Sequence, residues 1–527
     1  MTINTIRTLE AHRLELQAEL DAEKSNAERN KLGQYATPTQ LATLILEQAK
    51  QLISSDSPIR FLDPALGTGA FFSALLRVFA SQHIETARGY EIDPHYGDEA
   101  KLLWRDRPIE IIINDFTAVS PPADESSRYN LIVCNPPYVR HHHLESTEKK
   151  RLQSLVQSSC NTRLSGLSGL YVYFLCLAHQ WLSEGGIAGW LIPSEFMDVN
   201  YGKGVRDYLT SEVTLLEIHR FDPEEVQFDD ALVSSAIVWF RKEKPSPTHQ
   251  VRFTQGGNLN QPRYQQMIPV MDLKVENKWS RFPKNGIRTI KHDAARIADL
   301  FDIKRGVATG ANQFFILDRS HELITQLPPA FLTPILPSPR YLESEEISVD
   351  SDGLPDMKPQ LYLLTCDLPE DIIQKDYPEL WAYLLQGKAQ GIHERYLCRQ
   401  RSIWYSQDKR DPSPFLCTYM GRQSNGDKAS PFRFILNHSR AIAPNVYLNM
   451  YPKIPLRQRL DENPSLKMKI WQALQTIPVE KLIGEGRVYG GGLYKLEPKE
   501  LGNLLAADVF GEDDEILPSL PRQKRLF

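Results

Sequence analysis

The sequence predicts an α/β fold, in which a twisted and mostly parallel sheet carries helices on both faces, followed by a second domain of mixed α+β structure. Short apolar runs typical of buried strands alternate with helical segments in the first part of the chain. Glycine-bearing or acidic turns follow several of these runs. The pattern then becomes irregular and turn-rich. We therefore expect two domains, at residues 1–245 and 246–527.

Seven apolar runs are expected to form the strands of the first domain. They are Arg60–Leu62, Thr86–Tyr90, Glu110–Ile113, Tyr129–Cys134, Ile187–Ile192, Leu215–His219 and Val233–Phe240. Helices are predicted at Leu41–Gln51 and Tyr171–Leu182, and a further amphipathic helix from Ile6 to about Lys31 is expected to pack on this domain or to contact a partner. The polar, proline-containing segment Arg241–Gln250 has the composition of a domain boundary.

Composition restricts the class of protein. Charged residues make up 24% and hydrophobic residues 41% of the 527 residues, and no run approaches the roughly 18 apolar residues that a membrane span requires. The amino terminus lacks the basic and then apolar pattern of a secretion signal. The six cysteines show no two-residue spacing, so we expect reduced thiols rather than disulfides or a zinc site. We expect a cytoplasmic protein without a membrane anchor.

Charge is unevenly distributed along the chain. The net charge is −5, which does not by itself indicate a polyanionic partner. From Lys388 to Arg440, however, ten Lys or Arg residues stand against four Asp or Glu, a balance of 10 − 4 = +6, with aromatic residues between them. A basic segment with interleaved aromatic residues is typical of a nucleic-acid surface.

The first candidate site motif is FLDPALGTGAFF, which follows a predicted strand. It puts Asp63 at the end of the strand and Gly67 and Gly69 in the turn before a helix that begins near Ala70. Glycines in such a turn let backbone N–H groups approach a ligand at the helix amino terminus. Dinucleotide-binding enzymes and purely structural turns use similar glycines, so this motif alone leaves the ligand open.

The next two strands add acidic residues at the same edge. The second strand ends in GYEIDP, where the Glu91 carboxylate can accept hydrogen bonds from two ribose hydroxyls; a solvated strand-end acid is the alternative. The third strand ends at Asp115 and Phe116, which could bind an adenine amino group and cover its ring. Upstream, KLGQYATP supplies a loop with Tyr35 and Thr37, unless it only caps the following helix.

The fourth strand ends in Asn135-Pro136-Pro137-Tyr138. Two successive prolines cannot continue a sheet ladder, so they fix a rigid loop beside the predicted cofactor residues. An exocyclic aromatic amine is a poor nucleophile. The Asn135 side-chain oxygen and the Pro136 carbonyl could accept hydrogen bonds from its two N–H groups and so direct its lone pair toward the methyl donor. Tyr138 offers a flat face for a heterocycle. The alternative is a proline turn closed by a core tyrosine.

The chain resembles the gamma-class DNA adenine-N6 methyltransferases, the TaqI-like and related type II modification methylases. The resemblance lies in motifs that follow one another in the same order: KLGQYATP, DPALGTGAF, GYEIDP, NDF and NPPY, and then LYVYF and VQFDDALVSSAIVWF. The resemblance implies a Rossmann-like class I methyltransferase domain and a carboxy-terminal target-recognition domain. It implies methyl transfer from S-adenosyl-L-methionine to an adenine flipped out of double-stranded DNA, as the modification enzyme of a restriction-modification system.

The resemblance also assigns roles to residues. The predicted catalytic residues are Asn135, Pro136, Tyr138 and Phe228, the last as a second stacking aromatic. The predicted cofactor-binding residues are Tyr35, Thr37, Asp63, Gly67, Gly69, Glu91, Ile92, Asp115, Phe116 and Asn135. In the second domain, where the resemblance is weaker, Arg399, Arg401, Lys409, Arg410 and Arg422 are candidates for DNA contacts, with solvated surface charges as the alternative.

Other activities are less consistent with the sequence. His141–His143 suggest a metal site, but consecutive residues point in different directions, and we expect no metal. NPPY also occurs in enzymes that methylate a glutamine amide of a protein, but residues 246–527 are unnecessary there. A cytosine-C5 enzyme would need a Pro-Cys dipeptide, which is absent. A DNA-binding factor with an inactive methyltransferase fold would not need the intact motifs. We expect the protein to be a monomer. Any cognate restriction endonuclease is expected to be a separate protein.

Overall fold

A nine-stranded sheet organises the first part of the chain in the computed structural model, which describes residues 3–53, 57–222, 234–283, 295–422, 430–489, 492–511 and 515–516. This sheet belongs to a compact unit formed by Met1–Thr289 and Tyr489–Gly492. Its strands are β1 (Ile59–Asp63), β2 (Ile84–Glu91), β3 (Glu110–Ile113), β4 (Tyr129–Cys134), β5 (Leu182–Pro193), β6 (Thr214–Arg220), β7 (Ser235–Arg241), β8 (Gln250–Gly257) and β9 (Pro262–Pro269).

The helices of this unit are α1 (Ile3–Ala22), α2 (Asn26–Leu32), α3 (Thr39–Leu52), α4 (Ala70–Val78), α5 (Pro94–Trp104), α6 (Ser146–Cys160), α7 (Leu170–Leu177), α8 (Lys203–Ser211) and α9 (Val270–Val275). The strand order is β3-β2-β1-β4-β5-β7-β6-β8-β9. Strands β1 to β5 are mutually parallel, and β7 runs antiparallel between β5 and β6. The predicted α/β fold with a mostly parallel sheet is confirmed.

The central strands β1, β4, β5 and β7 are buried on both faces of the sheet, which explains the nearly continuous apolar runs in their sequences. Side chains alternate between the faces along a strand. Phe61 packs with α3 and α4 on one face, whereas its neighbour Leu62 packs with α6, α7 and α8 on the other. Leu131 and Ile132 of β4 divide in the same way. The sheet is therefore the middle layer of three.

The amino-terminal helix differs from the expectation of one helix up to about Lys31. It is broken between Ala22 and Asn26. The Glu28 backbone N–H donates to the Ser25 hydroxyl (3.3 Å), and the Ser25 backbone N–H donates to the Glu28 carboxylate (2.9 Å). This reciprocal pair is a capping box, which starts a new helix at that point.

The first unit extends beyond the boundary expected at residue 245. The polar segment after Arg241 is a loop between two strands of the same sheet, since β8 pairs with β6 in parallel and β9 pairs with β8 in antiparallel register. Val251 and Phe253 of β8 are buried in the core of this unit. β9 is a mostly exposed edge strand with a polar sequence, so hydrophobic patterning gave no indication of it.

The second unit comprises Ile290–Val488 and Leu493–Phe527 and has the expected mixed α+β character. Its strands form sheets ordered β10-β18-β15-β17-β13, β11-β14-β12 and β16-β20-β19. These strands are β10 (Phe301–Arg305), β11 (Ile316–Asp318), β12 (Leu332–Ile335), β13 (Glu346–Ile347), β14 (Leu361–Leu364), β15 (Phe415–Thr418), β16 (Met420–Arg422), β17 (Phe434–Asn437), β18 (Tyr447–Pro452), β19 (Arg487–Tyr489) and β20 (Leu493–Lys495).

Its helices are α10 (Ile297–Leu300), α11 (Asn312–Phe315), α12 (Leu323–Gln326), α13 (Glu370–Asp376), α14 (Pro378–Ala389), α15 (Tyr396–Arg399), α16 (Ile454–Glu462), α17 (Leu466–Gln475), α18 (Val479–Glu485), α19 (Pro498–Gly502) and α20 (Ala506–Phe510). Across the described residues of both units, no helix combines the length and the apolar character needed to cross a membrane. All six cysteines are buried and unbridged, as expected.

Candidate active site

The predicted site residues of the first unit meet at the carboxyl edge of its sheet. Asp63 at the end of β1 pairs with Gly89 of β2, and Glu91 at the end of β2 pairs with Ile113 of β3. β4 lies beside β1 on the other side and leads into Asn135. Ligands of open α/β sheets bind outside this edge, so its cleft is the candidate active site.

A cleft of about 1060 Å³, including its open mouth, lies at this edge. Seven predicted cofactor residues line it: Tyr35, Gly67, Glu91, Ile92, Asp115, Phe116 and Asn135. Five other predicted residues are not part of its lining, namely Thr37, Asp63, Gly69, Pro136 and Tyr138. The following contacts explain what most of these residues do.

The glycine turn is shaped by close packing. Gly69 has φ +93° and precedes α4, and a Cβ atom there would lie 2.6 Å from the indole nitrogen of Trp104. Only glycine therefore fits at this position. Gly67, at φ +56°, donates its N–H to the Glu91 carboxylate at 2.9 Å. The turn and the acid at the end of the next strand thus form one hydrogen-bonded unit.

Glu91 is held rigidly at the cleft wall. Its second carboxylate oxygen accepts the backbone N–H of Asp93 at 2.9 Å, and burial raises the pKa of its carboxyl group. A carboxylate has about four acceptor positions, so these two amides leave capacity for further donors. Beside it, the Ile92 side chain is 58% exposed, which leaves an apolar surface open at the cleft.

Asp63 lies below the cleft rather than in its wall. Its side chain is almost fully buried, and one oxygen accepts the Ala65 N–H at 3.1 Å. The other oxygen has no hydrogen-bond partner among the described residues. Burial raises the pKa of this carboxyl group to about 8. Asp63 therefore supports the Pro64–Ala65 turn that lines the cleft.

Asp115 and Phe116, which follow β3, form another part of the cleft wall. The Asp115 carboxylate accepts the Thr117 N–H at 2.8 Å, which caps a short 3-10 turn. The Phe116 ring packs against Tyr90 and Trp181, with ring centroids 5.7 and 5.2 Å away. The wall is thus held from behind by an aromatic cluster, and its acid is oriented by the turn that it caps.

Asn135 has a fixed orientation. Its Nδ2 donates to the Tyr35 carbonyl at 3.0 Å and to the Thr37 hydroxyl at 3.1 Å. Because a carbonyl oxygen only accepts, the amide nitrogen must face Tyr35. The buried Oδ1 has no partner among the described residues. The loop of residues 33–38 therefore holds the amide by its nitrogen and leaves its oxygen without a donor among the described residues.

Tyr138 is held by hydrogen bonds from its backbone and from its hydroxyl. Its backbone N–H donates to the Gly33 carbonyl at 3.3 Å, and its hydroxyl donates to the Leu191 carbonyl at 3.0 Å. Its centroid lies 5.8 Å from that of Tyr35. A Cβ atom on Gly33 would lie only 2.4 Å from the Tyr138 nitrogen. Sequence reasoning missed Gly33, although this glycine stands within the KLGQYATP motif.

Two residues of α1 also line the cleft, and sequence reasoning did not assign them to the site. They are Gln17 and Asp21, one helical turn apart. The Asp21 carboxylate accepts from Gln17 at 3.0 Å and from the Tyr96 hydroxyl at 2.8 Å. Their polar character is ordinary for an exposed helix face, so nothing in the sequence distinguished them from solvated residues.

The remaining predicted residues are Phe228 and five basic residues of the second unit. Phe228 lies outside the described residues. In the second unit, Arg399 and Arg422 are exposed, whereas Arg401 donates to the Ala308 and Thr309 carbonyls at 2.7 and 3.0 Å. Two further candidates form ion pairs, Lys409 with Asp367 at 2.9 Å and Arg410 with Asp408 at 3.5 Å.

His141–His143 form a single 3-10 turn after the NPPY loop. Burial lowers the pKa of His141 and of His142. Within the described parts of the chain, no group of three or more His, Cys, Asp or Glu side chains is arranged to hold a metal ion.

Two family models match the chain. The model described as Eco57I restriction-modification methylase matches residues 78–227, which include the Glu91, Asp115 and NPPY segments. The model described as the C-terminal domain of type II methyltransferase M.Eco57I matches residues 285–525, which cover most of the second unit. The two matches lie in separate units of the structure.

Three proteins are similar to this chain over most of its length. Type II methyltransferase M.AccI of Acinetobacter calcoaceticus is 25% identical over 91% of this chain and 86% of its own length. M.XamI of Xanthomonas campestris pv. amaranthicola is 27% identical over 90% and 84%. The type IIL restriction-modification enzyme MmeI, solved in complex with DNA, matches the fold with a TM-score of 0.51 and 15% identity over 94% of this chain and 67% of that one. The sequence similarities support the resemblance found in the motifs, because the matched models and relatives are type II restriction-modification methyltransferases and together extend over most of this chain.

Proposed function

We propose that this protein is a site-specific DNA adenine-N6 methyltransferase that uses S-adenosyl-L-methionine and acts on an adenine flipped out of the duplex, as the modification enzyme of a restriction-modification system. The observation that carries the proposal is the Asn135 amide. Its nitrogen is held by Tyr35 and Thr37, and its buried oxygen has no partner among the described residues.

The cleft fits the proposed cofactor. Its lining combines apolar side chains with a few polar groups, as is typical of small-molecule sites. Glu91 retains acceptor capacity for ribose hydroxyls, and Ile92 and Phe116 provide apolar surface for an adenine ring. When bound, S-adenosyl-L-methionine would supply an electrophilic methyl group on a sulfonium. The role of Glu91 and Asp115 in this proposal is to bind and orient.

Asn135 and Pro136 would activate the acceptor amine. The exocyclic amine of adenine has two N–H groups that donate hydrogen bonds, and the lone pair of its nitrogen is delocalised into the ring. A hydrogen bond from one N–H to Asn135 Oδ1 and from the other N–H to the Pro136 carbonyl would keep the nitrogen in a geometry in which its lone pair is available. An amide does not ionise near neutral pH, so Asn135 acts as a fixed acceptor and not as a general base.

Tyr138 would stack on the extruded base. Its hydroxyl is bound to the Leu191 carbonyl, so the ring is already oriented before the base arrives. Stacking of a base on an aromatic ring contributes about 1–3 kcal/mol. Phe228, the proposed second stacking residue, stands in a segment outside the described residues.

Binding of double-stranded DNA is proposed for the second unit. MmeI, which has a similar fold, was solved in complex with DNA. Arg399 and Arg422 are exposed and could contact phosphates or guanines. Arg401 already donates to two backbone carbonyls and would instead shape the surface. We further propose a monomer that acts on DNA in the cytoplasm, with any cognate endonuclease as a separate protein.

Transfer of labelled methyl groups tests the proposal. The protein is incubated with S-adenosyl-L-methionine labelled in its methyl group and with mixed-sequence duplex DNA, and the DNA is hydrolysed to nucleosides and separated. We expect the label in N6-methyl-2′-deoxyadenosine. Label in a methylated cytosine would refute the adenine assignment. Label in protein would favour a glutamine amide acceptor, and no transfer would favour a DNA-binding factor.

A further inference from the structure

A buried ion pair lies in the amino-terminal helix, outside the site described above. Glu10 and Arg13 are one helical turn apart in α1 and are 6% and 1% exposed. The guanidinium donates to both carboxylate oxygens, at 2.9 and 2.7 Å. Removing two charges from water is unfavourable unless their remaining hydrogen-bonding groups are satisfied. The other partners of this pair are therefore informative.

Arg13 reaches the glycine turn of the cofactor cleft. Its Nη1 donates to the Thr68 hydroxyl at 3.0 Å, and that hydroxyl donates to the Gln17 side chain at 2.7 Å. The Thr68 carbonyl accepts the Trp104 indole N–H at 2.9 Å. Thr68 stands between the two glycines of the turn. It is therefore held from α1 through its side chain and from α5 through its backbone.

Glu10 reaches two further segments of the site. It accepts from the Ser73 hydroxyl at 2.5 Å, in the first turn of α4, and from the Thr39 hydroxyl. Thr39 directly follows the loop of residues 33–38, whose Tyr35 and Thr37 hold Asn135. Burial opposes ionisation of Glu10, but its hydrogen bonds with Arg13, Ser73 and Thr39 lower its pKa to about 2. The Glu10 carboxyl group is thus ionised at neutral pH.

From these contacts we propose that Glu10 and Arg13 are positioning residues that fix the glycine turn and the 33–38 loop before the cofactor binds. A turn with two glycines has many accessible conformations, and the pair selects one of them. Neither residue lines the cleft, so the pair acts through Thr68 and Thr39. This inference rests on the proposed function, because it assigns S-adenosyl-L-methionine as the ligand of the turn.

The hydrogen bond between Arg13 and Thr68 can be removed while the charges of Glu10 and Arg13 are kept. Thr68→Val deletes the hydroxyl that Arg13 contacts and keeps the shape of the side chain, whereas Thr68→Ser keeps the hydroxyl. Thr210→Val is the matched control, because Thr210 has the same 2% exposure and its hydroxyl binds a helix carbonyl of Arg206 in α8 at 2.8 Å. Circular dichroism melting shows that each variant is folded at the assay temperature.

The first readout is the affinity of the full chain for S-adenosylhomocysteine, measured by calorimetry. We expect Thr68→Val to raise Kd roughly tenfold, and Thr68→Ser to remain within about twofold of wild type. Thr210→Val shares no partner with the turn and should also stay within about twofold. An unchanged Kd in Thr68→Val, or an equal loss in Thr68→Ser, would overturn the proposed role.

The second readout does not depend on the cofactor. Hydrogen–deuterium exchange of the unliganded protein should show faster exchange in peptides covering residues 64–76 of Thr68→Val than in wild type or Thr210→Val. Equal exchange would refute the positioning role. If the wild type does not bind S-adenosylhomocysteine but the exchange difference is observed, the proposed function fails while the positioning of the turn stands.

Discussion

Replacement of Asn135 by alanine tests the role of its amide quantitatively. The variant loses the Oδ1 acceptor and the two Nδ2 hydrogen bonds, at 3.0 and 3.1 Å, that fix its direction. Removing one preorganised hydrogen-bonding group from an active site lowers kcat by about 10²–10³-fold, or roughly 3–4 kcal/mol. The Glu91 and Asp115 walls do not contact the amide through any hydrogen bond in the structure, so we expect the Kd for S-adenosylhomocysteine to change by less than about threefold.

Asn135→Asp separates the orientation of the group from its presence. The aspartate has nearly the same shape, but it puts a carboxylate oxygen where the amide nitrogen now donates to the Tyr35 carbonyl. Two acceptors then face each other, so we expect the side chain to turn away and kcat to fall by about tenfold or more. Full activity of this variant would show that donation to Tyr35 is unnecessary.

Single-turnover methyl transfer to duplex DNA measures the chemical step, and calorimetry measures cofactor affinity separately. Asn130→Ala is the control, because Asn130 also stands in β4 and donates to a backbone carbonyl, that of Pro58, at 2.8 Å, away from the cleft. It should retain near-normal rates. A near-normal kcat in Asn135→Ala would refute the reasoning, and a parallel loss of cofactor affinity would mean that Asn135 acts in binding.

Three further predictions concern the surroundings of this amide. Glu91→Ala should raise the Kd for S-adenosylhomocysteine by roughly 10–100-fold, because it removes a carboxylate fixed by two backbone amides, whereas calorimetry of the exposed Glu110→Ala should show little change. Equal Kd values would exclude Glu91 from the site. Gly33→Ala should lower the free energy of unfolding by about 1–3 kcal/mol in urea denaturation, because φ is +67° and the new Cβ would meet the Tyr138 nitrogen at 2.4 Å; unaltered stability and methylation rate would contradict this. The Asp63 pKa of about 8 lies above its ordinary value of 3.8, so the neutral carboxyl stabilises the fold at low pH and this contribution is lost as pH rises toward 8. Asp63→Asn stays neutral and should therefore be more stable than wild type at pH 8, with the difference narrowing toward pH 4; a difference independent of pH would refute the assignment.

The elements with strong patterning could be predicted from the sequence. Strands β1 and β4 of the cleft are buried on both faces, so each appeared as an apolar run, and the residue after each run fell at the expected edge. The sequence of β2 is less regular, since two residues near its start are exposed. The Asn135–Tyr138 loop was predictable because two prolines fix its shape. The exposed edge strand β9 was missed since its sequence is polar, and so the first unit was expected to end too early.

The supporting contacts could not be predicted in the same way. The sequence analysis assigned no role to Glu10 or Arg13, because only the tertiary structure brings the Thr68 hydroxyl within 3.0 Å of the guanidinium. Asp63 was expected to contact the cofactor, but in the structure it supports the turn above it. Position at a strand end indicates the edge where a residue lies, and burial then decides whether its side chain lines the cleft or lies beneath it.

A structure of the protein with duplex DNA and S-adenosylhomocysteine would probe the core of this interpretation most directly. The distance to measure joins Asn135 Oδ1 to the exocyclic nitrogen of the extruded base. We predict an adenine with this distance near 2.7–3.2 Å, while Nδ2 still donates to Tyr35. An adenine amine outside hydrogen-bonding range, or an amide turned so that Nδ2 faces the base, would contradict the assigned chemistry.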